Sequence, residues 1–220
     1  MLSSRIFIII VAGYIISSCN HIISTSDKAP PISPIRSPKH ISDAKKSLFI
    51  EYPVPESFSI CYGHTCRYIE DLSLTEEEWS RVRNIFLEKN INPENERENI
   101  RSAVGLMETI VGEKTGTSSD RGKNFDGFGL PGQMDCVDES TNTTVYLTMM
   151  QNDGLLKWHR VRERSSRGIF SLQAPHFTAV ISETDSDQGY AVDSWFLENG
   201  QPPFIIPLKT WAKGWEPDHQ

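Results

Sequence analysis

A cysteine, a histidine and an aspartate follow one another in the second half of the chain, each in a context that suits nucleophilic catalysis. Cys136 lies in GQMDCVDES at the predicted start of a helix, where the backbone dipole lowers the pKa of a thiol. His176 lies in APHFTAVI and Asp193 in YAVDSWF, both in predicted strands. A thiol nucleophile needs a base, and the base needs an acceptor that fixes its tautomer. The pattern therefore predicts a Cys-His-Asp triad.

The spacing of His176 and Asp193 adds a geometric argument. They are 17 residues apart, so in an antiparallel hairpin whose loop has an even number of residues both side chains lie on one face. A turn centred between Asp185 and Ser186 would place them about 7–8 Å apart on a diagonal. A turn centred one residue earlier would place them directly opposite. The turn-forming residues 187–189 favour a later centre, so the register stays open.

At these motifs the chain resembles the transglutaminase-like superfamily. Its members place a catalytic Cys at the start of a helix and the His and Asp on two neighbouring strands of the sheet under that helix. The gaps here, 40 and 17 residues, are close to the family's pattern. Gly154-Leu155-Leu156 follows the predicted helix, as a Gly-aliphatic segment does in the family, and Ala179-Val180 follows His176. The resemblance covers about residues 133 to 215.

The resemblance implies a role for each residue. Cys136 would be the nucleophile, His176 the base and Asp193 the acid that orients it. The backbone N–H of Cys136 and the side chain of Gln133 would bind the oxyanion. The implied reaction is attack on an amide carbonyl by a hydrolase or an acyltransferase, with a peptide, a protein or a peptidoglycan stem as substrate. No cofactor and no metal are expected.

The helix start departs from the family's pattern. Asp135 precedes Cys136 where small residues are common, and Asp138 and Glu139 follow closely. These carboxylates favour the helix but oppose formation of a thiolate. They support the alternative interpretation, a non-catalytic envelope module with the same fold that binds a partner or has a structural role. His159, in LLKWHRV, is a second candidate for the base.

The surrounding elements predict an α+β fold, in which helices precede an antiparallel sheet that packs on the helix bearing Cys136. Residues 57–70 have the pattern of two strands joined by a turn at His64, and residues 115–134 form a long Gly-rich loop of a kind that is often functional or mobile. Helices are predicted from the capping box at Thr75 to Lys89, from Pro93 to Gly112 or Gly116, and from Cys136 to Asn152. Strands are predicted at residues 155–161, 168–172, 177–182, 190–196 and 204–208.

Cys61 and Cys66 flank Tyr-Gly-His-Thr in the predicted turn. A disulfide is the leading interpretation for two such cysteines in an oxidising compartment. A metal site with His64 is disfavoured because no fourth ligand is evident and the spacing is not that of a zinc knuckle. Reduced structural thiols are the third alternative.

The first nineteen residues predict export and lipid anchoring. The apolar run from Ile6 to Ile16 is too short for a spanning helix, which needs about 20 residues, and is typical of a signal peptide. Ile16-Ser17-Ser18-Cys19 then resembles the bacterial lipobox, in which the Cys thiol carries a diacylglyceryl group. Two or more acyl chains, such as palmitate, hold a protein stably on a membrane. The alternatives are a plain signal peptide and a short uncleaved anchor.

These signals divide the chain into a signal peptide at residues 1–18, a Pro- and Ser-rich tether at 19–47 and a single domain at 48–220. The mature chain would face the periplasm of a bacterial envelope. Asn20, where an Asp is the usual inner-membrane retention signal, weakly favours the outer membrane. The formal net charge of −7 and the absence of a basic run argue against nucleic-acid binding, and the sequence leaves the oligomeric state open.

Overall fold

The structure is a computed structural model that describes residues 49–87, 90–168 and 175–218. These residues form a two-stranded antiparallel hairpin, a four-stranded antiparallel sheet and several helices, which confirms the predicted α+β fold class. The strands are β1 (Phe58–Tyr62), β2 (Tyr68–Leu72), β3 (His159–Arg167), β4 (His176–Glu183), β5 (Gly189–Asp193) and β6 (Phe204–Pro207); the helices are α1 (Glu76–Leu87), α2 (Pro93–Thr115), α3 (Cys136–Asn152) and the short α4 (Leu208–Trp211). The predicted signal peptide, Cys19 and the tether lie outside the described residues.

Helix α3 is the centre of the domain. Every residue from Asp138 to Gln151 is buried, because β1 packs on one side of the helix and β3 and β4 pack on the other. Its many threonines fit this position because their hydroxyls bond to the carbonyl four residues earlier, as Thr144 does to Ser140 and Thr148 does to Thr144. The N-terminus of α3, where Cys136 lies, is therefore fixed between the hairpin and the sheet.

Helices α1 and α2 complete the core. Helix α1 buries Trp79, Val82 and Phe86, the apolar positions that the sequence pattern identifies. Helix α2 begins after Asn92, whose side chain accepts a hydrogen bond from the backbone of Asn95, and it ends at the left-handed Gly116. Across residues 49–87, 90–168 and 175–218, none of the helices has both the length and the apolar character needed to cross a membrane.

The pairing of β4 with β5 answers the question of register. Ala179 pairs with Val192 and Ser182 pairs with Gly189, which centres the connecting turn between Asp185 and Ser186. This is the arrangement that places His176 and Asp193 on a diagonal of one sheet face rather than directly opposite each other.

Strand β3 differs from the prediction. Strands were expected at residues 155–161 and 168–172, but one strand runs from His159 to Arg167, and residues 169–174 lie outside the described ranges. The start of β3 is set by a buried carboxylate that no local pattern reveals, because Glu96 of α2 accepts hydrogen bonds from the backbone N–H groups of Lys157, Trp158 and His159. Strand β5 also ends earlier than predicted, at Asp193.

A β-bulge interrupts the pairing of β3 with β4. Arg162 pairs with Val180 and Ser165 pairs with Thr178, so two residues of β3 stand opposite one of β4. The extra residue shifts the alternation of side chains and turns Arg164 to the buried face, towards the start of α3.

Candidate active site

The first turn of α3 is capped by two carboxylates. Oδ1 of Asp135 accepts from the backbone N–H groups of Val137 and Asp138, both at 3.0 Å. Asp138 reciprocates, because its Oδ2 accepts from the backbone N–H of Asp135 at 3.2 Å. This capping box makes Cys136 the first residue of the helix, as the sequence predicts.

His176 and Asp193 are in contact. Nε2 of His176 lies 2.7 Å from Oδ2 of Asp193, and both side chains are buried. The indole N–H of Trp211 donates to the same oxygen at 2.6 Å. An imidazole held this way keeps its other nitrogen, Nδ1, free for proton transfer, and Nδ1 of His176 has no hydrogen-bond partner within the described part of the chain.

Three aromatic rings fix the plane of the His176 imidazole. Their centroids lie 4.8 Å (Trp195), 5.3 Å (Phe196) and 5.5 Å (Trp211) from its own. Two of these rings follow Asp193 directly in the turn after β5, so the segment that was predicted as strand instead forms a wall of the site.

Cys136 and His176 open into one cleft. Its volume is about 470 Å³. The residues that line it are His64, Asn124, Phe125, Asp135, Cys136, Arg167, Pro175, His176, Trp195, Gly214 and Glu216. Asp193 lies behind His176, so the structure brings the predicted nucleophile, base and orienting acid together.

The Cys136 thiol lies against the backbone on both sides of His176. Its Sγ is 4.0 Å from the carbonyl oxygen of Pro175, and a hydrogen bond from the backbone of Phe177 lowers its pKa. Burial has the larger effect and, with the nearby carboxylates, raises the pKa of Cys136 to about 12. This shift favours a neutral Cys136 thiol in the resting site.

Gln133 is held away from the cleft. Its Nε2 donates to the carbonyl oxygen of Ser119 at 2.8 Å, and its Oε1 accepts from Nδ2 of Asn124 at 2.5 Å. The amide therefore braces the loop of residues 117–134, and the structure does not bring it beside Cys136 as an oxyanion donor.

Cys61 and Cys66 form a disulfide across the β1–β2 turn. The turn packs on the start of α3, because the backbone N–H groups of His64 and Cys66 donate to Asp138 at 2.7 and 2.6 Å. The sulfur atoms lie close to Asp138 in a geometry that a metal could use, but in the disulfide they are not thiolates. Of the three cysteines that the structure describes, Cys136 is the one outside a disulfide.

The contacts of His159, the second candidate for the base, are those of a structural residue. Its Nδ1 lies 2.9 Å from Oε1 of Glu96 and its Nε2 lies 3.3 Å from Nη1 of Arg97. Both ring nitrogens are used, the side chain is buried, and the ring is outside the cleft.

Arg164 is a buried cation under the first turn of α3, and the sequence pattern does not identify it. Its Nη1 donates to the carbonyl oxygen of Val137 and to the hydroxyls of Ser140 and Thr141, at 2.6–3.0 Å. Burial lowers the pKa of Arg164 to about 10, so the group is still charged at neutral pH. Its positive charge partly offsets the negative charge of the carboxylates that surround Cys136.

A second group of carboxyls lies buried beneath the site. Burial raises the pKa of Glu108 to about 7, and it raises the pKa values of Asp120 and Glu139 as well, well above the usual range for Glu139. Glu108 Oε2 accepts from the backbone N–H of Gly200 at 3.0 Å. Burial therefore disfavours the charged form of each of these three carboxyls in the folded protein.

No protein-family model, no curated protein and no solved structure matches the chain. The resemblance to the transglutaminase-like superfamily is therefore carried by the site residues and their arrangement, and it stays a proposal.

Proposed function

We propose that the protein is a thiol hydrolase or acyltransferase of transglutaminase-like type, acting on amide bonds of a peptide, a protein or a peptidoglycan stem. The observation that carries the proposal is the arrangement of Cys136, His176 and Asp193. The thiol opens into the same cleft as an imidazole whose Nε2 is bound to a buried carboxylate and whose Nδ1 has no partner among the described residues. This is the geometry of a nucleophile, a base and a group that orients the base.

The neutral thiol determines how the reaction would begin. As the sulfur of Cys136 attacks the carbonyl carbon, Nδ1 of His176 takes the thiol proton, and the carbonyl π electrons move to oxygen. Collapse of this intermediate breaks the C–N bond, and the imidazolium gives its proton to the departing amine. A thioester on Cys136 remains. Water or a second amine then attacks it with His176 again as the base, which releases the acid or a new amide and restores the thiol.

The acidic helix start supports a second candidate, a non-catalytic envelope module with the same fold. Its supporting observation is the raised pKa of Cys136, which burial causes first and to which Asp135, Asp193 and Asp138 add. In such a module Cys136 would be a buried small side chain, and the His176–Asp193 pair would serve only to satisfy two buried polar groups.

Alkylation by iodoacetamide distinguishes the two candidates. If His176 is a working base, the rate at Cys136 near pH 7.5 falls at least tenfold in His176→Ala, because a positioned base contributes about 10²–10⁴-fold to a proton transfer. Equal rates in the two folded proteins would overturn the enzyme proposal. Alkylation of the same proteins in guanidinium serves as the control, because unfolding removes the influence of position and the rates must then agree.

We further propose that lipid on Cys19 anchors the chain to a bacterial envelope membrane on its periplasmic side, in the outer rather than the inner membrane. The support is the sequence Ile16-Ser17-Ser18-Cys19 after an apolar run. Expression of the full chain in a bacterium, detergent phase partition and mass spectrometry of the N-terminal peptide test this proposal. The native chain should enter the detergent phase with an acylated Cys19, and Cys19→Ser should stay aqueous. An unmodified native Cys19 would refute the anchor.

A further inference from the structure

The disulfide-closed turn brings a second histidine to the cleft. His64 is 7% exposed and lines the cleft with Cys136. Its Nε2 is buried and has no hydrogen-bond partner in the residues that the structure describes. A buried polar atom without a hydrogen-bond partner destabilises the folded protein. The cost is recovered when a ligand in the cleft supplies the missing partner.

The backbone of this turn is constrained. Three consecutive residues with side chains have positive φ angles: His64 (66°), Thr65 (55°) and Cys66 (53°). This left-handed conformation is uncommon for residues other than Gly, although Asn, Asp and His tolerate it better than most, and runs of it are rare. Strained backbone that the surrounding structure holds in place is concentrated at functional sites.

Two sets of contacts hold the turn in place. The disulfide closes it, and its backbone N–H groups donate to Asp138 and, from Thr65 at 3.0 Å, to Asp135. These are the same two carboxylates that cap α3. His64 is therefore fixed to the helical turn that begins with Cys136, on the hairpin side of the thiol, whereas His176 approaches from the sheet side.

Gln133 was the expected side-chain donor to the oxyanion, and it does not occupy that position on the hairpin side of Cys136. The Gln133 amide is bound to the loop of residues 117–134, and it also occupies Nδ2 of Asn124, which lines the cleft. His64 lines the same cleft with a buried ring nitrogen that has no hydrogen-bond partner among the described residues. A neutral imidazole with its proton on Nε2 is a hydrogen-bond donor.

We propose that Nε2 of His64 donates a hydrogen bond to the substrate carbonyl oxygen as Cys136 attacks, and so stabilises the oxyanion. The inference rests on the proposed function and assigns a further residue to that site. Removing one oxyanion donor typically lowers the rate by about 10²–10³-fold.

Two reagents that modify the same thiol separate this role from a structural one. p-Nitrophenyl acetate acylates Cys136 through a tetrahedral oxyanion: the C–S bond forms, the thiol proton passes to His176, the bond between the acyl carbon and the nitrophenyl oxygen breaks, and nitrophenolate leaves. Iodoacetamide alkylates the thiol by displacement of iodide at a saturated carbon, without an oxyanion. Peptide mapping by mass spectrometry of the full-length protein measures both reactions at Cys136 itself.

His64→Asn is the main variant, because Asn adopts the left-handed conformation readily and keeps the turn. We expect acylation of Cys136 to fall about 10²-fold and alkylation to stay within about twofold of the native rate. His64→Gln, whose longer side chain carries an amide N–H towards the position of Nε2, should recover part of the acylation rate. A thermal unfolding curve of each variant verifies that it is folded.

The outcomes are distinct. Native acylation in His64→Asn, or an equal fall in acylation and alkylation, would overturn the role of His64. Acylation that does not depend on His176 would overturn the proposed function instead, because the base is required whichever group binds the oxyanion.

Discussion

Trp211 and His176 share one oxygen of Asp193. The indole N–H donates to Oδ2 at 2.6 Å, and Nε2 of His176 lies 2.7 Å from the same atom. The carboxylate is 1% exposed, so these two groups replace much of its hydration. The orientation of the His176 imidazole therefore depends on helix α4, which is distant in sequence from Cys136.

Replacement of Asp193 and of Trp211 should separate the electrostatic effect of the carboxylate on His176 from the effect of its hydrogen bond with the indole. Asp193→Asn removes the charge that stabilises the imidazolium, and we expect acylation of Cys136 to fall by at least about 10²-fold. Trp211→Phe keeps an aromatic ring but removes the indole N–H and some buried volume, so the lost hydrogen bond and packing should together cost at least about 1.5–3 kcal/mol of unfolding free energy, with a smaller fall in acylation. Denaturant unfolding measures the stability of each variant, and the rate of Cys136 acylation measures its reactivity. A larger fall in acylation for Trp211→Phe than for Asp193→Asn would contradict the prediction.

The Cys136 thiol should stay protonated through the neutral and mildly alkaline range. Burial, assisted by the carboxylates of Asp135, Asp193 and Asp138, raises its pKa to about 12. The thiolate absorbs in the ultraviolet, so the difference spectrum between the native protein and Cys136→Ser should show no thiolate band between pH 6 and about pH 9. A thiolate band already present at pH 7 would indicate a preformed ion pair and would contradict the neutral-thiol mechanism.

Stability should fall as pH rises through the neutral range because of Glu108. Its folded pKa, about 7, lies above its ordinary value, so the protonated fold is favoured. That contribution is complete at pH values below about 4.5 and is lost as pH rises through 7, and it is worth on the order of 3 kcal/mol. Glu108→Gln, which is neutral at every pH, should therefore raise the unfolding free energy at pH 8 and change it little at pH 5.

Glu113→Gln is the matched control for Glu108, because Glu113 lies on the same helix with an exposed side chain. It should leave the pH dependence of unfolding by guanidinium unchanged. If Glu108→Gln destabilises the protein equally at pH 5 and pH 8, burial of the acid is not the cause of the pH dependence.

The disulfide should stabilise the domain modestly, because it closes a short loop. For a sequence separation of 5 residues, the loss of chain entropy in the unfolded state corresponds to about 2 kcal/mol. Replacing Cys61 and Cys66 together with Ser should lower the unfolding free energy by that amount. The acylation rate should also fall, because the turn that holds His64 is freed. An unchanged acylation rate would show that the capping carboxylates hold the turn without the disulfide.

The helices and the central site could be predicted because their signals are local. The capping residues around Cys136 lie within four positions of it, and the hairpin pattern places His176 and Asp193 on one face for any turn whose loop has an even number of residues. The direction of Gln133 could not be predicted, because it depends on Ser119 and Asn124, in a loop without periodicity. The same holds for β3, whose start depends on a carboxylate of α2 more than sixty positions earlier in the chain.

His64 was visible in the sequence only as the centre of a turn. Two flanking cysteines indicate a closed turn, but they do not show which element the turn contacts. That information comes from Asp138, which follows 74 positions later and binds the backbone of the turn. An acidic residue close to a catalytic cysteine is unfavourable for the thiolate, and here the same residue anchors the neighbouring loop.

The short separation of Cys61 and Cys66 also bears on how the correct disulfide is reached during biosynthesis. A chain that enters an oxidising compartment with its N-terminus first presents this pair long before Cys136 emerges. The two thiols can pair with each other while no later thiol competes for them. If the chain is exported as proposed, Cys61 and Cys66 would already be joined when Cys136 appears, and neither would be available to pair with it.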